Sequence, residues 1–307
     1  MSGSMNIQYL SNQQIDKTKW DHCIDNAANG LIYAYSYYLD DMANNWDALV
    51  LNDYEAVMPL TWNKKYGIHY LYQPFLTAQL GAFGNLIDAV LLENFLKAIP
   101  LQFKYWDICF NQNNVFTLKD FDLYQRSNYI LDLNKPYDQL YNNYRENIQR
   151  NIKKAVQAGC TAQKDFDAEK VIALAVQQMK GQNKESEENI ERFRKLYQLL
   201  HSKQMATTYG IISPQDEMVA SCVFFFSHNR AYYILVGNHP NGKAIGASHA
   251  LIDAFIKDHA GKNLLLDFEG SDMPNLAFFY SSFGAVEEEY AALKLNKLPF
   301  YFRWLKK

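Results

Sequence analysis

The chain is 307 residues long, enough for two domains that each bury a core, and its 49% hydrophobic, 15% aromatic and 21% charged residues mark a folded globular protein rather than a disordered one. A formal net charge of −3 excludes a protein that coats nucleic acid through its whole surface, while leaving room for a local basic patch. The four cysteines, Cys23, Cys109, Cys160 and Cys222, form no C-x-x-C pair and the seven histidines show no metal-ligand spacing, which points to reduced thiols, a cytoplasmic location and no metal.

In chain order, Met1 to Ser4 reads as an added leader before a native start at Met5, and residues 6–20 are too polar for a signal peptide. Residues 20–46 read as helical. A hairpin follows, with strands at 53–62 and 68–72 around a turn through Lys64, Lys65 and Gly67. Gly81 and Gly84 precede a helix over 86–99 that stops at Pro100, then strands at 105–110 and 129–133 complete the first unit. Asn134-Lys135-Pro136 marks a boundary, dividing the chain into 5–135 and 136–307. Leu140, Tyr144, Ile148, Ile152 and Ala155 then recur at helical spacing, predicting one helix until Gly159. Further helices are expected over 168–182 and 190–202, separated by an exposed polar loop at 182–188. The longest apolar run, 219–226, falls far short of the ~20 residues that cross a membrane, so no membrane insertion is expected.

The second hairpin, 216–225 and 231–235, repeats the first. It leads through Gly242-Lys243-Ala244-Ile245-Gly246-Ala247 into an apolar helix and then the strand Leu264-Leu265-Leu266-Asp267-Phe268, just as the first hairpin leads through glycines to a helix and Tyr105-Trp106-Asp107-Ile108-Cys109. Two copies of one α/β unit make a pseudo-symmetric molecule with a seam, the usual place for a ligand cleft.

Three features carry chemistry. The turn holding Gly242, Lys243, Gly246, Ala247 and Ser248 joins a strand to a helix, so its backbone N–H groups can cradle a phosphate at the positive helix end; a plain connection is the alternative. Arg145, Arg150, Lys153 and Lys154 crowd one helix against Glu146 alone, with Arg150 and Lys154 one turn apart, suiting an anionic ligand or merely a solvated flank. Asp267 and Glu269, two apart on a strand, share a face where a carboxylate can act as general base toward an amine, unless they cap the next turn or bind a cation. No Walker or G-x-S-x-G sequence is present.

Taken in order, the basic segment from Arg145 to Gly159, the turn Gly246-Ala247-Ser248, the strand Leu266-Asp267-Phe268-Glu269-Gly270 and the aromatic stretch Phe278-Phe279-Tyr280 with Phe283-Gly284 resemble the Fem-type peptidoglycan aminoacyl transferases. Lys243 and Ser248 depart from the first and last positions of the related pyrophosphate loop, and Glu269 from the usual residue between Phe and Gly. The resemblance implies an α/β fold of two tandem acetyltransferase-like (GNAT) domains, each a mixed β-sheet flanked by helices. It implies an acyltransferase acting on an amine, either a small molecule or a peptidoglycan precursor, with acyl-coenzyme A as co-substrate and no metal. Aminoacyl-tRNA is the alternative donor, and a catalytically silent binding protein the alternative role. On this reading Gly242, Lys243, Gly246, Ala247 and Ser248 hold the donor, Arg150 and Lys154 the donor or an anionic acceptor, and Glu269 or Asp267 is the base.

Overall fold

The computed structural model describes residues 6–180, 186–270 and 272–298. The leader, most of the polar loop expected at 182–188, and Ser271 lie outside the described residues. The described chain forms two compact units, one of residues 6–126 with 289–298 and one of residues 127–288.

The first unit begins with β1 (Ile7–Leu10) and α1 (Lys17–Asn26), whose first N–H groups are capped by the Asp16 carboxylate. Then come α2 (Ser36–Met42), β2 (Asn45–Leu51), β3 (Ala56–Lys65), β4 (Ile68–Leu71), the short β5 (Phe83–Gly84), α3 (Ala89–Ala98) and β6 (Phe103–Cys109). The helix expected over 20–46 is thus two short helices ending in a strand. Residues 29–36 between those helices are buried throughout, so they carry no amphipathic period to follow. Leu92, Phe95 and Leu96 of α3 pack on Met58, Leu60 and Trp106 to make this unit's core.

The second unit takes in β7 (Tyr124–Asp132) from Ser127 onward, then α4 (Tyr137–Asn142), α5 (Glu146–Gln157), β8 (Thr161–Lys164), α6 (Ala168–Lys180), α7 (Glu187–Ser202), β9 (Ala206–Ile212), β10 (Met218–Ser227), β11 (Arg230–Asn238), α8 (Pro240–Ile245), α9 (Ala247–His259), β12 (Leu265–Asp267) and α10 (Pro274–Ser281). A last strand, β13 (Val286–Asn296), runs from this unit's final residues into the first unit. The single helix expected from Leu140 to Gly159 is broken at Arg145, whose extended backbone (φ −64°, ψ 152°) starts α5. Leu140, Tyr144 and Ile148 are still all buried, which is why the spacing reads through the break.

Alternation along β10 assigns its two faces. Phe224 stacks on Phe255 of α9 at 3.7 Å between ring centroids, and its neighbour Phe225 stacks on Phe193 of α7 at 5.6 Å. Each such buried ring contributes about 1.5–3 kcal/mol. Helices α5 and α9 therefore cover one face of this sheet, α6 and α7 the other.

The two units show one succession of strand pairings. In the first, β1 with β2, β2 with β3 and β3 with β4 are antiparallel, β4 with β6 is parallel, and β6 with β13 antiparallel. In the second, β8 with β9, β9 with β10 and β10 with β11 are antiparallel, β11 with β12 is parallel, and β12 with β7 antiparallel. The expectation that 129–133 closes the first unit is corrected here: Leu131 of β7 pairs with Leu266 of β12. Residues 289–298, expected in the C-terminal domain of 136–307, instead group with the first unit, where Leu293 pairs with Ile108. A period-2 pattern fits any antiparallel neighbour, so sequence alone does not choose between these partners.

Candidate active site

In the second unit the sheet opens where its parallel pair parts. β11 and β12 are in register only from Arg230↔Leu265 to Tyr232↔Asp267, and β11 continues to Asn238 while β12 stops. At the point of parting the register to β10 shifts, with Val223 opposite Leu235 and Phe224 opposite Tyr233. Ile234 is thus an extra residue, a bulge of the kind that bends a strand and re-aims its side chains beside active sites. Beyond Tyr232, residues 233–238 have strand partners on the β10 side and none on the β12 side among the described residues.

The Gly-containing turn lies past the end of this opened strand, and it is more ordered than the sequence suggests. Residues 240–245 form the helical turn α8, and Gly246 (φ +81°, ψ 23°) separates it from α9. The glycines answer to packing: a Cβ on Gly242 would lie 2.1 Å from the Val219 carbonyl oxygen, and one on Gly246 would lie 2.5 Å from that of Asn151 on α5. Lys154 donates to the Ala244 carbonyl at 2.6 Å, so it ties α5 to α8 rather than reaching for a ligand. The Ser248 hydroxyl donates to the Asn238 side chain. Gly246 supplies no side-chain cap, and the first N–H of α9 with a bonded carbonyl is that of His249, to Gly246 at 3.1 Å. The N–H groups of Ala247 and Ser248 precede it at the positive end of a 13-residue helix. Lys243 on α8 and Arg150 on α5 are exposed, and Arg150 has no ion-pair partner among the described residues.

The two carboxylates part company. Asp267 is buried, and its carboxylate accepts from Arg230 Nη1 at 2.7 Å; the same guanidinium grips Glu288 through two bonds of 2.9 and 3.0 Å. Asp267 Oδ1 also accepts the Glu269 backbone N–H at 2.9 Å, while the Asn128 side chain accepts the Gly270 N–H at 2.6 Å and donates to Glu288 at 3.2 Å. This network shapes the turn after β12, so Asp267 acts as a positioning group. Glu269 is not on the strand, and the shared face expected from its spacing does not exist: it is half-buried in the left-handed region (φ +67°). A non-glycine residue held there costs about 1–3 kcal/mol, and such strain clusters at functional sites. Its charge, together with burial, raises the pKa of Tyr280, burial being the larger cause.

A buried aromatic cluster lies beside β11 and β12. Phe268 stacks on Tyr280 at 4.6 Å and meets Tyr233 edge-on at 6.1 Å. Burial raises the Tyr233 hydroxyl well above its usual range. His249, third residue of α9, stands edge-on to Phe279 at 5.0 Å, and burial lowers its pKa to about 4, so it is neutral at neutral pH. Sequence reading missed Ile234, His249 and Asn128, and Tyr280 entered only within the aromatic run at 278–283 that carries the family likeness. Among the described residues no helix is long and apolar enough to cross a membrane.

Residues 142–274 match the family model described as "Acetyltransferase (GNAT) domain". Over the whole chain the structure is similar to that of FemX, with a TM-score of 0.65 and 12% identity over 99% of this chain and 100% of that one. A conserved protein of unknown function from Bacteroides thetaiotaomicron gives 0.61 and 11%, covering 95% and 100%. L-PGS from Bacillus licheniformis gives 0.52 and 12%, covering 92% and 93%. Comparison with curated proteins gives no match. The chain therefore has a Fem-like, GNAT-type fold, and its residues 142–274 match the GNAT domain model.

Proposed function

We propose that the second unit is an N-acyltransferase that takes an acyl or aminoacyl group from a phosphate-bearing donor and passes it to an amine without a metal. The observation that carries this reading is the parting of β11 from β12 at a bulge, with the uncapped start of α9 beyond it. A donor arm laid beside residues 233–237 would take up the strand groups that have no strand partner there, as an added strand does, the Asn238 N–H being already given to the Gln178 side chain at 2.7 Å. Its phosphate would meet the N–H groups of Ala247 and Ser248, with Lys243 and Arg150 adding positive charge; Lys154, bound to Ala244, contributes by holding α8 in place. Gly242 and Gly246 let the turn pack close.

Glu269 is the base that readies the acceptor. The ammonium gives one proton to the carboxylate, the amine nitrogen bonds to the acyl carbon, and as the bond to the donor sulfur breaks the nitrogen's second proton passes to the departing thiolate, leaving the amide and the free thiol. Coenzyme A thioesters are the first choice of donor. The likeness to FemX supports aminoacyl-tRNA as the second, with a cell-wall precursor amine as acceptor, and both donors place the reaction in the cytoplasm.

A thermal-shift titration with coenzyme A, acetyl-coenzyme A and an aminoacylated tRNA tests the reading. A true donor at a hundred times its Kd stabilises the fold by about 2.7 kcal/mol. No response to any of them would favour a silent binding protein. With a donor in hand, Glu269→Gln should cut turnover by roughly 10²–10⁴-fold at little cost in donor affinity.

A further inference from the structure

We infer that Phe278 and Arg145 form a platform for the adenosine end of the donor, an inference that rests on the donor reading above. Phe278 on α10 is 52% exposed, and the Arg145 guanidinium lies over its ring at 4.7 Å. A singly exposed aromatic is ordinary on a protein surface. Two further observations set this one apart. The Arg145 backbone N–H donates to the Ser282 carbonyl at 2.9 Å, tying the start of α5 to the end of α10, so the guanidinium is presented from an anchored backbone. The next residue, Phe279, touches His249 in the first turn of α9, which makes the platform continuous with the proposed phosphate site.

The chemistry selects a purine nucleotide. A base stacking on an aromatic or guanidinium plane gains about 1–3 kcal/mol. An arginine, always charged and planar, can both stack and pair with a phosphate, which a lysine cannot do as well. Coenzyme A ends in an adenosine carrying a 3′-phosphate, joined through its pyrophosphate to the arm that bears the thioester, so a platform beyond the phosphate site meets its base.

Equilibrium binding of coenzyme A, phosphopantetheine and adenosine 3′,5′-bisphosphate to the wild-type chain, Phe278→Ala, Phe278→Trp and Arg145→Gln tests the platform. Phe278→Ala should weaken coenzyme A about tenfold while leaving phosphopantetheine unchanged, and Phe278→Trp should retain wild-type affinity. Arg145→Gln should weaken the bisphosphate more than it weakens adenosine. Unchanged coenzyme A binding in Phe278→Ala, or an equal loss for coenzyme A and phosphopantetheine, overturns the inference while the donor reading stands. If the wild-type chain binds no coenzyme A, the thioester choice fails and the platform falls with it.

Discussion

The same parallel pair of strands is sealed in the first unit and open in the second. In the first, β4 leaves β6 after Leu71, but the chain returns: Leu80 bridges to Phe110 and donates its N–H to the Cys109 carbonyl at 3.1 Å, and the Gln73 side chain accepts the Cys109 N–H at 3.0 Å. Buried Asn29, Asn111 and Asn114 then satisfy the Ala82 carbonyl and the Ala82 and Gly84 N–H groups. The space left among Gln73, Leu80, Gly81 and Cys109 is about 10 Å³, at the limit for a single water. The helices that follow differ in the same sense. The start of α3 is occupied by the Asp88 carboxylate, which accepts the Leu91 N–H at 2.8 Å, whereas α9 starts from Gly246 with no side-chain cap. One fold can therefore keep or close a ligand opening through a few side-chain amides and one capping acid.

The largest test concerns what holds each parallel pair at its base. The first unit uses the apolar pair Leu71 and Trp106, the second the buried Arg230 with Asp267 and Glu288. Arg230→Met leaves the buried Asp267 and the half-buried Glu288 uncompensated and should cost about 3–5 kcal/mol in urea unfolding; a cost under 1 kcal/mol would show the network to be dispensable. Next, Gly246→Ala faces both a positive φ and the Asn151 carbonyl, and should destabilise by about 1–3 kcal/mol more than Gly67→Ala, whose φ is +79° with nothing within 4 Å. Equal costs would mean that α5 and α9 do not depend on the close approach.

Ser248→Asp places a carboxylate at the open helix start, where the second unit would come to resemble the first. Donor binding should fall more than tenfold, about 1.4 kcal/mol, with folding little changed. Asp88→Ala in the first unit should cost about 1 kcal/mol of stability and leave donor binding alone. The smallest effect is pH-dependent. Burial lowers His249 from its ordinary value near 6.5 to about 4, and lowers His259 as well, so the unfolded chain takes up these protons first and the second unit loses stability as pH falls from 6.5 toward 4. His249→Phe should flatten that slope in pH-dependent unfolding, leaving the His259 contribution.

The repeat was legible because strand, turn and helix each leave a local period, and it carried both hairpins and the helices after them. The sealing of the first unit was not legible: it depends on Asn29, Asn111 and Asn114 meeting across long sequence separations, and asparagines in loops look alike whether buried or solvated. The turn at 242–248 was legible as a junction, but the glycines were credited to ligand approach when Val219 and Asn151 demand them. Asp267 and Glu269 were found as a pair, yet their roles diverge because Arg230, from a different strand, claims one of them.

Hydrogen exchange of the whole chain with and without coenzyme A, or an aminoacyl-tRNA if that proves the donor, addresses the central claim most directly. The account predicts new protection at residues 233–238 and at Ala247 to His249, and none at residues 73–84 in the first unit. Protection confined to 73–84, or absent from both regions while the donor is bound, would contradict it.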